Sequence, residues 1–295
     1  MSAAVQAPVE RFTVRSWNGS EETAPRGVRR ALESGRVAFL PDLAFLLLPG
    51  EERFLSERFS DGGAKNVSWD GARRELTGAR GSREDIAGLE ALLDRFRKDA
   101  ARLLAALVPD YGPRLETART SLRVSEVENR PQSHTANDRL LHVDAFPATP
   151  TGGRRILRAF SNVGEAPRVW RIGEPFAAAA ERLWPRLRSL RPGEARALRG
   201  LGITRGKRTP YDQAMLSLHD ALKEEDEEGR ATPAATFAFP PGSTWIVFTD
   251  QVLHAALAGR GLLEQTFHVP VEVLGEPASS PLRVLEHLAG RALAP

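Results

Sequence analysis

Two groups of short alternating strands, separated by a long helix-rich stretch, constrain the fold of this chain more than any other feature. In each group apolar and polar residues alternate between turn-forming residues, which is typical of strands with one buried face. The predicted strands cover residues 119–127, 155–163, 168–172, 236–248 and 262–273. Regular βαβ alternation and a Gly-rich turn between a strand and a helix are both missing, so the pattern excludes a Rossmann sheet. The order indicates an antiparallel β core with one insert.

Helices are predicted on both sides of this core. The clearest lies between Ser82 and Val108, where apolar residues recur every three or four positions. Ser82 and Asp85 resemble a capping box at its start, and Pro109 ends it. We expect a single domain over residues 1–295. Its helical N-terminal part (about 20–115) includes a helix over 24–34 and a short strand over 36–40, and it is followed by a β core (about 116–275), a helical insert (about 175–235) and a C-terminal helix (about 281–293).

The composition limits which chemistry the protein can carry out and where in the cell we expect it. The chain has 295 residues and no cysteine, which excludes disulfide bonds, thiolate metal sites, iron–sulfur clusters and a cysteine nucleophile. The first residues carry neither the basic nor the apolar segment of a signal peptide. The most apolar stretch, residues 37–48, is interrupted by Pro41 and Asp42 and is too short to span a bilayer. We therefore expect a cytoplasmic protein.

A candidate metal site is formed by His142, Asp144 and His254. In an extended segment residues i and i+2 project to the same side, so a single ion can bind both His142 and Asp144. Downstream, a Pro-Gly turn leads into the apolar segment 244–248, and His254 follows six residues later. Two imidazoles and one carboxylate on one face are the ligands of mononuclear Fe(II) oxygenases, and they leave positions for a cosubstrate and O₂. The pattern predicts a mainly β protein with flanking helices, built on a double-stranded β-helix (jelly-roll, cupin-like) core.

His-x-Asp is a weak motif alone, because the chain contains six histidines. The other four lack a partner pattern and are expected on the surface or in the core: His134, His219, His268 and His287. His219 precedes Asp220 in a helical stretch, which is typical of a solvated helix face. Of the four, His134 is nearest to the motif in sequence and is the one we most expect to matter.

An oxygenase that uses 2-oxoglutarate also needs a cation for the distal carboxylate of the cosubstrate. One common place, on the last strand about ten residues after the distal histidine, is unfilled, because Glu264 there would repel a carboxylate. A strand after the His-x-Asp pair supplies arginines instead. On that strand Arg158 shares a face with Phe160 and Asn162, a suitable lining for a polar pocket. The candidates, in order of preference, are Arg158 with Asn162 beside it, then Arg155, then Arg123 on the preceding strand; the alternative is that they are surface arginines at a strand edge.

Charge is unevenly distributed in the insert. Residues 182–208 contain nine basic side chains and one acidic one, and residues 224–228 form an acidic run. One interpretation is a solvated helix face followed by a polar turn. The other is a surface for an anionic partner, such as a phosphorylated lipid or an acidic sugar. Nucleic acid is not expected, because the basic residues are not interleaved with aromatic residues for base stacking.

Several longer segments resemble the Kdo hydroxylases, bacterial enzymes dependent on Fe(II) and 2-oxoglutarate that hydroxylate the 3-deoxy-octulosonic acid (Kdo) sugar of the Kdo–lipid A core. The resemblance covers about residues 35–275 in scattered blocks: KNVSW (65–69), HVDAFP (142–147), GRRILRAFSNV (153–163), RVWRIGEPF (168–176), GSTWIVFTDQVLHAALAG (242–259) and EQTFHVPV (264–271).

The resemblance implies a dioxygenase with Fe(II) as its metal, 2-oxoglutarate and O₂ as cosubstrates, and an anionic glycolipid, Kdo–lipid A, as its substrate. It also implies His142, Asp144 and His254 as the iron ligands, the same three residues that the spacing indicates. A hypothesis follows that the basic residues of 182–208 hold the enzyme on the inner face of the cytoplasmic membrane. The alternatives are a 2-oxoglutarate oxygenase for a protein or small molecule, or a catalytically silent cupin-like sugar-binding protein.

Overall fold

Two β-sheets form the centre of the molecule. The structure is a computed structural model that describes residues 8–18, 25–126, 137–191 and 193–295, so His134 lies outside the described residues. In the described residues the strands are β1 (Val9–Arg11), β2 (Val37–Leu40), β3 (Val67–Asp70), β4 (Glu75–Thr77), β5 (Glu116–Arg123), β6 (Arg155–Asn162), β7 (Arg168–Ile172), β8 (Ala235–Phe239), β9 (Thr244–Phe248), β10 (His254–Ala258) and β11 (Leu262–Val269). The helices are α1 (Val28–Glu33), α2 (Arg83–Leu107), α3 (Phe176–Leu183), α4 (Glu194–Gly200), α5 (Pro210–Glu227) and α6 (Pro281–Ala289).

The strand order brings distant parts of the chain together. The larger sheet has the order β1-β2-β9-β6-β11-β5-β3-β4, and the smaller sheet has the order β10-β7-β8. All neighbouring strands are antiparallel except β1 and β2, which are parallel. The late strands β9 and β11 flank the earlier β6, and β10 returns beside β7. This arrangement is the predicted jelly-roll core, with α3, α4 and α5 inserted between β7 and β8.

Aromatic side chains from both sheets pack between them. Phe160 and Trp245 of the larger sheet contact Trp170 and Phe239 of the smaller sheet within one buried cluster. The rings of Phe239 and Trp245 stack with centroids 4.0 Å apart, and Phe160 meets Trp170 edge-on at 5.2 Å. Each such pair contributes about 0.5–1.5 kcal/mol beyond its buried area. The cluster holds the two sheets in a fixed relation and therefore positions the site between them.

The long helix confirms the sequence prediction. α2 begins after Ser82, whose side chain and that of Asp85 form a reciprocal capping box. Its apolar stripe is buried against the larger sheet, in the cluster that contains Leu89, Phe96 and Trp69. α5 starts with a second capping box, between Thr209 and Asp212. None of the helices in the described part of the chain is long and apolar enough to cross a membrane.

Four strands were not predicted: β1, β3, β4 and β10. They have only three to five residues, too few for a period of two to be distinguished from chance. The strand predicted over 262–273 ends at Val269, because Pro270 has no backbone N–H for the ladder. These differences leave the predicted order of elements unchanged.

Candidate metal centre

His142 and Asp144 lie in an extended segment that is bonded to the start of β10. The backbone N–H of His142 donates to the carbonyl of His254 at 3.1 Å, and the N–H of His254 donates to the carbonyl of His142 at 2.9 Å. The N–H of Asp144 donates to the carbonyl of Thr249 at 2.8 Å. Residues more than a hundred positions apart are thus fixed by backbone bonds, which place all three side chains on one side.

Both imidazoles make the same hydrogen bond, from Nδ1 to the backbone carbonyl two residues earlier. His142 Nδ1 lies 2.7 Å from the carbonyl oxygen of Leu140, and His254 Nδ1 lies 2.8 Å from that of Val252. A carbonyl oxygen can only accept, so each Nδ1 must carry the proton and donate it. The lone pair is then on Nε2 of each ring, where a metal ion can bind it.

The local environment sets the charges that metal binding requires. Burial lowers the pKa of both His142 and His254 below the usual range, so both rings are neutral near pH 7. Burial by itself would raise the pKa of Asp144, but the guanidinium of Arg158 and the two histidines hold it well below its usual range. The site therefore presents two neutral imidazoles and one carboxylate.

These three residues fit a single metal ion. Their ligand atoms all lie within 4.8 Å of one another. Asp144 Oδ2 is buried and accepts no hydrogen bond from the described residues, although Arg158 Nη2 is 3.0 Å away. Arg158 thus compensates the charge of this carboxylate without an aligned hydrogen bond, which leaves oxygen lone pairs that can bind a metal ion. Two histidines and one carboxylate with open positions are the ligand set of non-haem Fe(II) oxygenases.

A chain of alternating charges adjoins the three residues. Arg158 Nη1 donates to Glu264 Oε1 at 2.5 Å, and Arg123 Nε donates to the other oxygen of Glu264 at 2.9 Å. Arg123 Nη1 also donates to Asp138 at 3.2 Å, and Asp138 pairs with Lys65. Glu264, which the sequence places where it would repel a cosubstrate, is thus neutralised by two arginines. A carboxylate between two cations does not exclude a second carboxylate from the site.

The cosubstrate residues expected from sequence are placed differently. Arg158 and Arg123 line a cavity of about 880 Å³ that also contains the metal-binding residues. Arg155 is not in this lining; it is fully buried and donates to Asp250 at 2.7 Å and 3.1 Å and to Gln251 at 2.7 Å. The amide nitrogen of Asn162 donates to two backbone carbonyls, at 2.9 Å and 3.0 Å, and Asn162 is also outside the lining.

The cavity is rich in basic residues. Its lining contains eight lysines and arginines and five aspartates and glutamates. A divalent metal ion would add further positive charge. This excess suits a dianionic cosubstrate together with an acidic substrate.

Several lining residues were not identified from the sequence. The prediction that His219 lies on a solvated face is wrong: its side chain is 13% exposed, it lines the cavity, and its ring centroid is 5.3 Å from that of His142. Trp170 stacks on His254 with centroids 4.9 Å apart, and Arg168 lines the cavity while almost fully buried. α5 and β7 carry these residues, and no local pattern shows that either element faces the triad. A cation and an aromatic residue two positions apart on a strand, as in RVWRI, are a weak signal of such a lining.

Comparisons with known proteins agree with this site. Residues 16–292 match the model of the family described as 3-deoxy-D-manno-oct-2-ulosonic acid (Kdo) hydroxylase. Crystal structures of the Kdo hydroxylase KdoO, a non-haem Fe(II) α-ketoglutarate-dependent dioxygenase, are 44% identical over 98% of both chains. The cobalt(II) complex superposes with a TM-score of 0.93, and the apo form and the complex with α-ketoglutarate and Fe(III) each superpose with 0.92. A comparison with curated protein sequences found no significant match. With this match over nearly all of its length, the chain belongs to the Kdo hydroxylase family.

Proposed function

We propose that this protein is an Fe(II)- and 2-oxoglutarate-dependent dioxygenase that hydroxylates the Kdo sugar of Kdo–lipid A. The observation that carries the proposal is the convergence of His142, Asp144 and His254 in a cavity with an excess of cations. Family membership and the 44% identity to KdoO support the substrate class.

His142, Asp144 and His254 would hold the iron, each through the atom that the surrounding hydrogen bonds leave free. When bound, the iron with 2-oxoglutarate and O₂ supplies the oxidising power for hydroxylating a C–H bond. The protein contributes orientation and exclusion of water. The aromatic cluster under Trp170 closes the cavity on one side, and the fixed backbone pairing of His142 with His254 keeps the ligands in place.

Arg158 is our first choice for the distal carboxylate of 2-oxoglutarate, with Arg123 beside it. Both line the cavity and lie on either side of Glu264. An incoming carboxylate can share these two guanidinium groups with Glu264. We assign Arg155 and Asn162 to the support of the core, because both lie outside the cavity lining and donate to buried protein oxygens.

Two measurements test the function. The wild type should form succinate from 2-oxoglutarate only with Fe(II), and Kdo–lipid A should gain the mass of one oxygen. His254→Ala should abolish both reactions, whereas His287→Ala, on α6 outside the cavity lining, should retain them. Succinate without oxygen transfer to Kdo–lipid A would indicate an oxygenase for another substrate. The absence of succinate would indicate a silent binding protein.

The structure divides the basic residues of 182–208 into two sets. Arg182 and Arg186 form ion pairs with Glu225, and Arg188 pairs with Glu194. A second set forms no ion pair with a described residue: Arg191, Arg196, Arg199, Arg205, Lys207 and Arg208. Leu201 and Ile203 lie within that set and are 75% and 52% exposed. Exposed apolar residues among unpaired cations suit the interface of an anionic bilayer.

We therefore propose that Arg191 and residues 193–207 contact the membrane, next to the cavity, since Arg205 also belongs to the lining. Changing Arg196, Arg199 and Arg205 to Glu should reduce sedimentation with vesicles that contain anionic phospholipid, most strongly at low salt. The same change at Arg15, Arg26 and Arg30, which are exposed, keeps the net charge equal and is the control. Equal vesicle binding by both triple variants would remove this part of the proposal.

A further inference from the structure

Helix α5 brings a buried lysine into the cavity beside the metal-binding residues. Lys223 follows His219 by four positions, so the two side chains share one face of the helix. The His219 ring lies next to that of His142, at 5.3 Å between centroids. Lys223 is 1% exposed and lines the same cavity as the triad. One turn of α5 therefore carries both the neighbour of His142 and a buried lysine of the cavity lining.

Lys223 differs from the other cations of the described cavity lining. Four of them are exposed: Lys65, Arg73, Arg119 and Arg205. Three are arginines on strands of the core: Arg158 and Arg168, which are buried, and Arg123, which is half-buried. Lys223 is the buried cation that the helical insert supplies. It is thus separate from Arg158 and Arg123, which we assign to 2-oxoglutarate, and from Arg168, which donates to the carbonyl of Gly259.

The chemistry of the substrate class requires such a group, and this step rests on the proposed function. A 3-deoxy-2-ulosonic acid has its carboxylate at C1 and its deoxy carbon at C3, with one carbon between them. If the deoxy carbon is brought to the iron, the carboxylate must also lie deep in the cavity. The exposed cations are therefore poorly placed for it, and a buried cation beside the metal triad is required.

We propose that Lys223 binds the carboxylate of the ulosonic acid and so positions the adjacent deoxy carbon toward the metal. A point charge on a flexible stem suits this task, because the substrate carboxylate must enter and leave. Lys223 is 1% exposed, and at a buried group a charge-assisted hydrogen bond is stronger than in water.

The groups around Lys223 keep it charged at neutral pH. Burial lowers the pKa of Lys223 to about 8; Lys65 acts in the same direction, while Asp138, Asp144 and Asp220 oppose it. His219 and His142 also face this region, and the His142 ring is neutral near pH 7. The ammonium form is thus the main one at pH 7, and it is lost as the pH rises through about 8.

The test compares the acid with its methyl ester. For the wild type, kcat/KM with a Kdo glycoside should exceed that with the methyl ester about 10- to 100-fold, the loss expected for one charge-assisted hydrogen bond. Lys223→Met should lower kcat/KM for the acid but not for the ester, and so remove this preference. Lys223→Arg should keep most of the preference. The KM for 2-oxoglutarate should change less than about twofold, because the arginine site is intact. Lys98→Met, an exposed lysine on α2, is the control.

Two results would overturn the proposal. One is a Lys223→Met variant, folded by thermal melting, that still prefers the acid by the wild-type factor. The other is an equal loss toward acid and ester, which would mark a structural role. Titration of the wild type with the free sugar acid separates this proposal from the proposed function. If the sugar acid binds in a way that depends on Lys223 but is not hydroxylated, only the proposed function is contradicted. If the sugar acid does not bind, both the proposed function and the role of Lys223 are contradicted.

Discussion

Strand β6 carries a buried arginine on each of its faces. One of the two is enclosed in the core, and the other faces the cavity. Arg155 is sealed in the core, where it pairs with Asp250, donates to Gln251 and lies 3.9 Å from the centre of the Phe248 ring. Arg158, three residues later, faces the cavity and pairs with Asp144 and Glu264. The two guanidinium groups are equally charged and both largely buried, so residue type and burial alone do not distinguish them.

The difference lies in what can reach each group. The partners of Arg155 are protein groups packed around it, so its charge stabilises the fold and is closed to ligands. The partners of Arg158 border a cavity of about 880 Å³, so a ligand carboxylate can approach it. The comparison teaches that a buried ion pair is a binding site only where space adjoins it. Three predictions test this contrast, and a fourth tests the charge state of the histidines beside Arg158.

The largest effect is expected at Arg155, the enclosed arginine, and concerns the free energy of unfolding. Asp250→Ala leaves the Arg155 charge buried without its carboxylate, which costs about 3–5 kcal/mol. Chemical unfolding followed by circular dichroism measures this loss. A loss below about 1 kcal/mol would show that water reaches Arg155, and the contrast between the two faces would fail.

The next largest effect is expected at Arg158, the arginine that faces the cavity, and concerns catalysis. Arg158→Met should reduce kcat/KM for 2-oxoglutarate about 100-fold, because a charged hydrogen-bonding partner of the cosubstrate is removed. The free energy of unfolding should change by less than about 1.5 kcal/mol, since Glu264 keeps Arg123. Succinate formation and unfolding curves measure the two. Arg139→Met, an exposed arginine, serves as the control; a KM for 2-oxoglutarate equal to that of the wild type would reject Arg158 as its partner.

A smaller effect is expected from Arg158→Lys. Lysine keeps the charge but loses the planar fork that contacts Asp144 and Glu264 together. The KM for 2-oxoglutarate should therefore rise only about three- to tenfold. If the lysine variant is as defective as the methionine variant, geometry rather than charge dominates at this position.

The smallest effect concerns pH and the metal ligands. Burial lowers the pKa of His142 and His254 below 6.5, so the neutral, metal-binding form persists to lower pH than in an exposed histidine. Cobalt(II) affinity should thus be nearly constant from pH 8 to about 6.5 and fall only below that, as protons begin to compete. Absorbance titrations across this range measure it. A steady decline that starts above pH 7 would contradict the lowered pKa values.

Much of the site was predictable because it depends on local geometry. Residues i and i+2 of an extended segment share a side, which brings His142 and Asp144 together, and the turn and strand before His254 indicate it as the third candidate ligand. The same rule places Arg158 and Arg155 on opposite faces of β6. The capping box and apolar stripe of α2 are equally local, and the structure confirms them.

The tertiary structure decided which element lies opposite each of these faces. Glu264, read alone, is a repelling charge, but the pairing of β11 with β5 and β6 sets it between two arginines. The sequence around His219 predicts a solvated helix face, but the insert folds back and brings His219 and Lys223 of α5 to the cavity. Periodicity encodes which side of an element is buried. The partner of that side depends on how all the apolar faces are buried together, so only the folded chain determines it.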